Sequence, residues 1–453
     1  MCGFVAALGK IDIEPGMNLI QHRGIRSNIV KGTAGSVGHV RLPIVGTGVE
    51  NDQPVSVDKW TVAFVGELLD FREESPNMEC DTILVVDKWV HHGPSAFRRN
   101  DGFWAIAAID HRFEELHLLC DYLAQKPIYY RIDIAAAASE PAAVAALHPV
   151  TPDKIYMASV IRWGYCPDIN RTPYAEVKKV LPGQHMVIIK GGVIQDEIVD
   201  PLVPVLEGNL KRQIEYAVRR RVLSSDVPVA CLLSGGLDSS IVYTLANRYG
   251  DVVPYYVSDE NNVAERIRVS LVADKDIVEA NWKTVHWKQA VDIMQEPIDL
   301  GSLVPQVALS NAVKERVCLT GDGADEMFGG YGRSQRYDSQ ATDVWKELVA
   351  WHLPRLDRVM MRNCVEVRSP FLARRVAGLA LGLPREQRTG KKILKDLFRG
   401  ELPIGIADQE KIPLRTSEVG EARTIEMVDY FNESNWRNVG DRLDADRSEE
   451  RGI

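Results

Sequence analysis

The stretch Val229-Ala230-Cys231-Leu232-Leu233-Ser234-Gly235-Gly236-Leu237-Asp238-Ser239-Ser240 constrains this chain more than any other. A wholly apolar run of strand length ends in two adjacent glycines and hydroxyl residues, and a helical pattern follows from about Ser240 to Arg248. Glu207–Leu223, just before it, carries Leu210, Ile214, Ala217, Val218 and Val222 at helical period, and Val252–Val257 reads as a further strand. Strands alternating with helices predict a parallel sheet. Glycines let a backbone approach phosphate closely, and successive N–H groups at a helix start make an anion nest. Ser234 and Ser239 add hydroxyl donors, while Asp238 suits a Mg²⁺ ligand bridging to phosphate oxygens. The GxxxxGK(S/T) spacing of a Walker A loop is absent. A serine-capped turn is the blander alternative, and a lone Gly-Gly would favour it.

Ahead of Pro201 and Pro204 the chain has another character. Thr61–Val65, Phe103–Ile109, Leu116–Leu119, Pro127–Arg131 and His185–Lys190 are strand-length apolar or β-branched runs, and Gly191-Gly192 marks a turn. One helix stands out at Asp81–Val90, through Ile83, Val86, Trp89 and Val90. This region is expected to be an antiparallel sheet protein with a few helices.

The 453 residues admit two or three domains at ~150 residues each. With 45% hydrophobic and 26% charged residues, disorder over most of the chain is excluded. A net charge of −9 argues against a dedicated nucleic-acid or anionic-membrane binder. No apolar run approaches the ~20 residues of a bilayer span, and no basic segment precedes an apolar one at the N-terminus. Seven scattered cysteines without a CxxC pair fit reduced thiols in a cytoplasmic protein.

The string SGGLDSS resembles the signature of the N-type ATP pyrophosphatases, which split ATP into AMP and pyrophosphate while adenylating a substrate. Leu319-Thr320-Gly321-Asp322-Gly323-Ala324-Asp325-Glu326-Met327-Phe328-Gly329-Gly330-Tyr331 resembles the second signature of asparagine synthetases, and Glu366-Val367-Arg368-Ser369-Pro370-Phe371-Leu372 a third. Gly390-Lys391-Lys392-Ile393-Leu394-Lys395 is similar to that family's lysine-bearing helix. The resemblance covers nearly the whole chain. It implies that Asp238 and Asp325 hold Mg²⁺ and the departing pyrophosphate, and that Lys391 neutralises charge as the leaving group forms. Ser234, Gly235, Gly236 and Ser239 would cradle phosphates. Leu232 and Val257 would enclose adenine, and Thr320 and Gly321 would lie beside the ribose. Asp322 takes the position of a general base for incoming ammonia.

Cys2 precedes a small residue, so removal of Met1 would leave an α-amino group beside a thiol, the arrangement of an N-terminal nucleophile. That amine, with an ordinary pKa of ~7.7–8, is a suitable base at neutral pH. A cysteine at position 2 means little alone, but its surroundings resemble class II glutamine amidotransferase domains. Gln21-His22-Arg23-Gly24 matches one segment, and Gly38-His39-Val40-Arg41-Leu42-Pro43-Ile44-Val45 matches the segment whose Arg clamps the glutamine carboxylate. Asp81 matches the acid that binds the glutamine amino group. Asp101-Gly102-Phe103-Trp104-Ala105 and Ala138-Ser139-Glu140 match structural markers. The resemblance implies a glutamine pocket of Arg41, Leu42, Val45, Val65, Gly66, Glu67 and Asp81. Two departures stand out. The family's Asn-Gly-Glu oxyanion segment reads Val65-Gly66-Glu67, which removes a side-chain donor whose loss costs ~10²–10³ in rate. Cys120-Asp121 replaces the usual Arg-Asp, with Ala124 at a glycine position.

The expectation is therefore an α+β, N-terminal-nucleophile αββα sandwich over 1–205. An α/β parallel-sheet ATP pyrophosphatase domain, adenine nucleotide α-hydrolase-like, would follow over 206–453. The resemblance to the asparagine synthetase B family implies glutamine, ATP with Mg²⁺, and aspartate as the acceptor acid, with a homodimer compatible. Three alternatives stand against it. A β-lactam-synthetase-like cyclase would lack Cys2 and carry Tyr at Asp322. A 7-deazaguanine nitrile synthase would need a C-terminal zinc cysteine cluster, and no cysteine follows Cys364. A non-catalytic relative would not need Asp238, Asp325 and Lys391. The acceptor acid is not legible, since Asp259–Pro297 matches the family pattern loosely apart from Glu296-Pro297. A different carboxylate, or ammonia in place of glutamine, stays open at this point.

Overall fold

The computed structural model describes residues 2–258, 263–331, 346–408 and 424–434. Met1, the start of the loosely matching segment at 259–262 and the charged tail after Asp441 lie outside them.

The antiparallel region is two six-stranded sheets. In the first the strands lie in the order Lys178–Lys179, Tyr129–Arg131, Ala136–Ala138, Gly3–Leu8, Gly35–Arg41, Arg26–Lys31. In the second the order is Gly192–Ile198, Gln184–Ile189, Glu115–Cys120, Gly102–Asp110, Trp60–Leu68, Val55–Val57. Strand alternation decides what each face buries. Phe4, Ala6 and Leu8 join one apolar cluster with Phe64, Ile106 and Leu118 of the other sheet. Val5 and Ala7 belong to a second cluster with Met17, Ile20, Ala143 and Val144, from the helices Glu14–Ile20 and Pro141–Ala145. Helix Asp81–His92 packs on strand Trp60–Leu68 of the second sheet and buries Val85 and Trp89. Helices thus lie outside two stacked sheets.

The five longer strand readings of this region are present, although Tyr129–Arg131 begins two residues later than expected. Gly3–Leu8, Gly35–Arg41 and Ala136–Ala138 were not expected as strands. Their glycines and alanines carry no strand preference, and pairing with neighbours overrides that.

The parallel sheet is present, with the order Val278–Asn281, Val252–Ser258, Val229–Leu232, Val317–Leu319, Glu366–Arg368. Its two faces are covered by different helices, which is why its central strands Val229–Leu232 and Val317–Leu319 are unbroken apolar runs. Val229, Cys231, Val317 and Leu319 pack with Ile214, Val218, Ile241 and Leu245 of helices Leu210–Leu223 and Leu237–Ala246. Ala230 and Cys318 pack with Leu303, Val307, Val359 and Met360 of helices Leu300–Ala312 and Leu353–Met361. The chain leaves strand Val229–Leu232 toward one edge and returns to its other side with Val317–Leu319. The carboxyl ends of these two strands therefore flank a topological switch point, where open α/β sheets bind ligands.

The helix expected from about Ser240 begins at Leu237. Asp238 and Ser239 accordingly lie in its first turn rather than in the loop. The hydroxyls of the loop do not cap that helix; Gly236 is its N-cap residue. Among the described residues no helix is long and apolar enough to cross a membrane. All seven cysteines are free.

Candidate active site

At the switch point, the turn after Val229–Leu232 is closed by its own hydroxyls. Ser239 Oγ accepts from the Ser234 N–H at 3.1 Å, and the two serine Oγ atoms are 3.0 Å apart. Gly235 has φ of 68° and lies against the backbone of Arg268 and Val269, so a side chain would be both strained and crowded. The neighbouring turn comes as close. A Cβ on Gly321 would lie 2.9 Å from both Asp238 Cβ and the Ser239 nitrogen. Thr320 Oγ1 donates to Asp322, and Asp322 N–H returns to Thr320 Oγ1 at 3.3 Å. Leu232 and Val257, both half-buried, stand at the carboxyl ends of adjacent parallel strands.

Three groups that are far apart in the chain meet here. Lys391 Nζ contacts Asp238 and lies 2.7 Å from Asp325 Oδ1. Asp325 comes from the short helix Ala324–Met327 and Lys391 from the residue before helix Lys392–Phe398. Lys391 is thus not on the expected helix. It is the N-cap residue, left-handed with φ of 59°. Burial works against its ammonium, yet the two carboxylates outweigh burial and hold its pKa above lysine's ordinary value. Gly330 leaves open a space beside Asp325 and Lys391 that a Cβ would fill. Among the described residues no three metal-binding side chains cluster. Two convergent carboxylates beside an open cradle nonetheless fit Mg²⁺, which takes one or two carboxylates and completes its shell with phosphate oxygens and water.

The second constellation surrounds Cys2. Its carbonyl accepts from Arg23 Nε at 3.0 Å, and the Leu42 N–H faces its thiol. Burial raises the thiol pKa; the Leu42 N–H and Arg41 oppose that, while Glu366 adds to it. Arg41 is turned into the loop that follows it. Its guanidinium donates to the carbonyls of Val45, Gly46 and Gly48 and to Asp52 at 3.0 Å. Val65 is buried in strand Trp60–Leu68, and Gly66 beside it has φ of 113° against the Phe103 carbonyl, where only glycine fits. Asp81 accepts from Leu68 N–H at 2.9 Å and is pushed up to about 6, first by burial. Glu67 is buried, and its Oε2 has no hydrogen-bond partner among the described residues.

The structure thus brings Cys2, Leu42, Gly66, Glu67 and Asp81 into one region, and Asp238, Ser239, Gly321, Asp325 and Lys391 into another. Sequence reasoning missed what joins them. Arg23 and Lys126 of the antiparallel half both pair with Asp357 of the parallel-sheet half, at 2.7 and 3.0 Å. Glu366 and Arg368, read only as part of a motif, reach the first region. The sole sequence signal was two opposite charges on either side of Val367, which demand partners once buried.

A family model for asparagine synthase matches residues 209–350 and 341–433, and one for the glutamine amidotransferase domain matches residues 1–198. Asparagine synthetase 1 (glutamine-hydrolyzing) of Bacillus subtilis is 26% identical over 375 residues, covering 73% of this chain and 59% of its own length. Asparagine synthetase B (glutamine-hydrolyzing) of Escherichia coli is 24% identical over 448 residues, covering 87% of this chain and 76% of its own. The corresponding enzyme 1 of Saccharomyces cerevisiae is 25% identical over 493 residues, with 88% and 80% covered. The match thus spans less than two thirds of the Bacillus relative.

Proposed function

Because the chain belongs to the asparagine synthase family and carries a glutamine amidotransferase domain ahead of that region, we propose that it is a glutamine-dependent asparagine synthetase. ATP and L-aspartate give aspartyl-AMP and pyrophosphate. Ammonia released from glutamine then displaces AMP, leaving L-asparagine. The observation that carries this reading is the meeting of Asp238, Asp325 and Lys391 at the switch point of a parallel sheet. Lys391 opposes the charge that grows on the departing pyrophosphate. Asp238 and Asp325 would hold Mg²⁺, which supplies further charge neutralisation on the phosphates when bound. The Ser234–Ser239 turn offers backbone N–H groups to phosphate oxygens, and Asp322 accepts a proton from the attacking ammonia.

Residues 1–205 would form the N-terminal-nucleophile glutaminase unit and 206–453 the ATP pyrophosphatase unit. With Met1 removed, the Cys2 amine takes the thiol proton and the sulfur attacks the glutamine amide carbonyl. Ammonia leaves, and water cleaves the glutamyl thioester to glutamate. The Gly66 N–H serves the oxyanion, and Val65 offers no side-chain donor beside it. Cys2→Ala should eliminate glutamine-supported asparagine formation while synthesis from ammonium continues at the wild-type rate. Glutamate release that survives in Cys2→Ala would remove Cys2 from the mechanism. No asparagine from either nitrogen source, with aspartate and ATP supplied to the wild type, would remove the synthetase reading.

A further inference from the structure

Arg368 is fully buried at the end of the edge strand of the parallel sheet, yet its guanidinium serves the other half of the molecule. Nε donates to Glu366 Oε1 at 2.7 Å, and Nη1 donates to the Arg221 carbonyl at 2.8 Å and to Ser224 Oγ at 2.7 Å. These bonds fix the fork and leave Nη2, which lies 3.5 Å from Glu67 Oε1. The Phe103 ring, on the strand paired with Glu67, flanks the guanidinium at 5.8 Å. Glu67 follows the oxyanion glycine, and its other oxygen, Oε2, is buried without a hydrogen-bond partner among the described residues. A buried carboxylate oxygen left open in this way calls for a cationic donor.

We propose that Arg368 is a positioning residue of the glutamine pocket, holding one oxygen of Glu67 so that the second is left for the substrate's α-ammonium. The pocket is then complete only when the parallel-sheet half is docked against it. This rests on the reading of Cys2 and its surroundings as a glutaminase.

The charges around Glu67 explain why an arginine is needed. Burial pushes its carboxyl well above the ordinary range. Asp81, from helix Asp81–His92, and Glu366, from the same strand as Arg368, push the same way. Arg368 opposes them without bringing the carboxyl back to its ordinary range. Removing the guanidinium takes away the cation beside Glu67 and would push its carboxyl further up, weakening any ion pair with the glutamine ammonium. The backbone of Arg368 meanwhile accepts from the Thr320 N–H at 3.1 Å, in the turn beside Asp322. One residue thus touches both sites.

The test is glutamate release from glutamine by the full-length protein, with KM and kcat followed across pH. Arg368→Met should raise the glutamine KM ~10-fold or more at pH 7, with a smaller change in kcat. It should also move the acidic limb of kcat/KM upward by about one pH unit or more. Arg368→Lys should recover most of both. Glu366→Gln keeps an acceptor for Arg368 Nε but removes a like charge from Glu67, so it should move the limb downward. Two outcomes for Arg368→Met overturn the proposal. One is an unmoved KM and limb; the other is a parallel loss of glutamine-supported and ammonium-supported synthesis, which marks a structural role. Should Arg368→Met not fold, Glu366→Gln decides alone, and an unmoved or upward limb sinks the idea. Wild-type protein that releases no glutamate removes the glutaminase reading along with this one. Active wild type with unmoved variants removes this one only.

Discussion

Lys391 holds a left-handed backbone conformation that costs a residue with a side chain about 1–2 kcal/mol. What it gains is contact with both Asp238 and Asp325, two carboxylates that would otherwise repel each other across the cradle at Gly330. Strain tolerated in this way is common where a side chain must be aimed. Asp238→Asn should abolish pyrophosphate release while the thermal midpoint stays near that of the wild type, because this side chain is 18% exposed and not part of the core. Lys391→Ala should lower turnover ~10²–10³-fold with a smaller effect on ATP affinity, as expected for a charge that acts mainly on the departing group. Pyrophosphate release measured beside nucleotide binding separates the two effects. Full turnover in a folded Asp238→Asn protein would exclude the carboxylate from the chemistry. The identities of these residues were legible in the sequence because their motifs are short. The left-handed placement of Lys391 was not, since nothing local requires it.

At the scale of elements, glycine-bearing turns were read from a dozen residues, whereas seven of the twelve strands of the antiparallel region were not. Gly35–Arg41 is glycine-rich and becomes a strand only because Gly3–Leu8 and Arg26–Lys31 pair on either side of it. One sheet also carries an unanticipated pH response. His117 Nδ1 and His185 Nε2 lie 3.2 Å apart on the paired strands Glu115–Cys120 and Gln184–Ile189, with Trp60 and Trp89 against the rings. Burial pushes both down to about 4. In the unfolded chain each takes up a proton near the ordinary ~6.5. Between pH 6.5 and 4 the unfolded state therefore binds more protons, and stability present above pH 6.5 is lost as pH falls through that window. Together the two should contribute a loss of ~6 kcal/mol across this window, read from urea unfolding at a series of pH values. His117→Leu/His185→Leu should flatten that slope, and an unchanged slope would place its origin elsewhere.

At the scale of the whole molecule, the two halves are joined by buried charge as well as by apolar packing. Asp357 receives Arg23 and Lys126 from the antiparallel half, with all three side chains at 4% exposure or less. Tyr122 OH donates to the Leu372 carbonyl at 2.8 Å, and one apolar cluster runs from Phe4 to Leu372. Burial alone would raise the Asp357 pKa, but Arg23 and Lys126 outweigh it and hold the carboxyl below its ordinary value. Removing one member of such a group leaves the others desolvated without a partner, which costs ~3–5 kcal/mol. Asp357→Ala should destabilise the protein by about that amount in urea unfolding. Calorimetry of the wild type should show a single transition, because neither half can keep its buried ions satisfied alone. Two well-separated transitions would show that the halves are energetically independent.

What the sequence by itself determined are the local devices: the apolar run, the paired glycines and the hydroxyls that make Val229–Ser240 a strand, a turn and a helix start. These follow from backbone sterics and burial within a few residues. Of the proposed site residues, Cys2 and Asp238 were read from their own position and loop, whereas Asp325 and Lys391 came from the resemblance of their motifs to a known family. Only the tertiary structure decided that Lys391 meets an aspartate 153 residues away. It also decided that Arg368 of the parallel sheet lies against Glu67 of the antiparallel one. Such meetings depend on which strand lies at a sheet edge and which surface docks on it. Those are sums of many weak packing terms spread over both halves, and no local pattern records them.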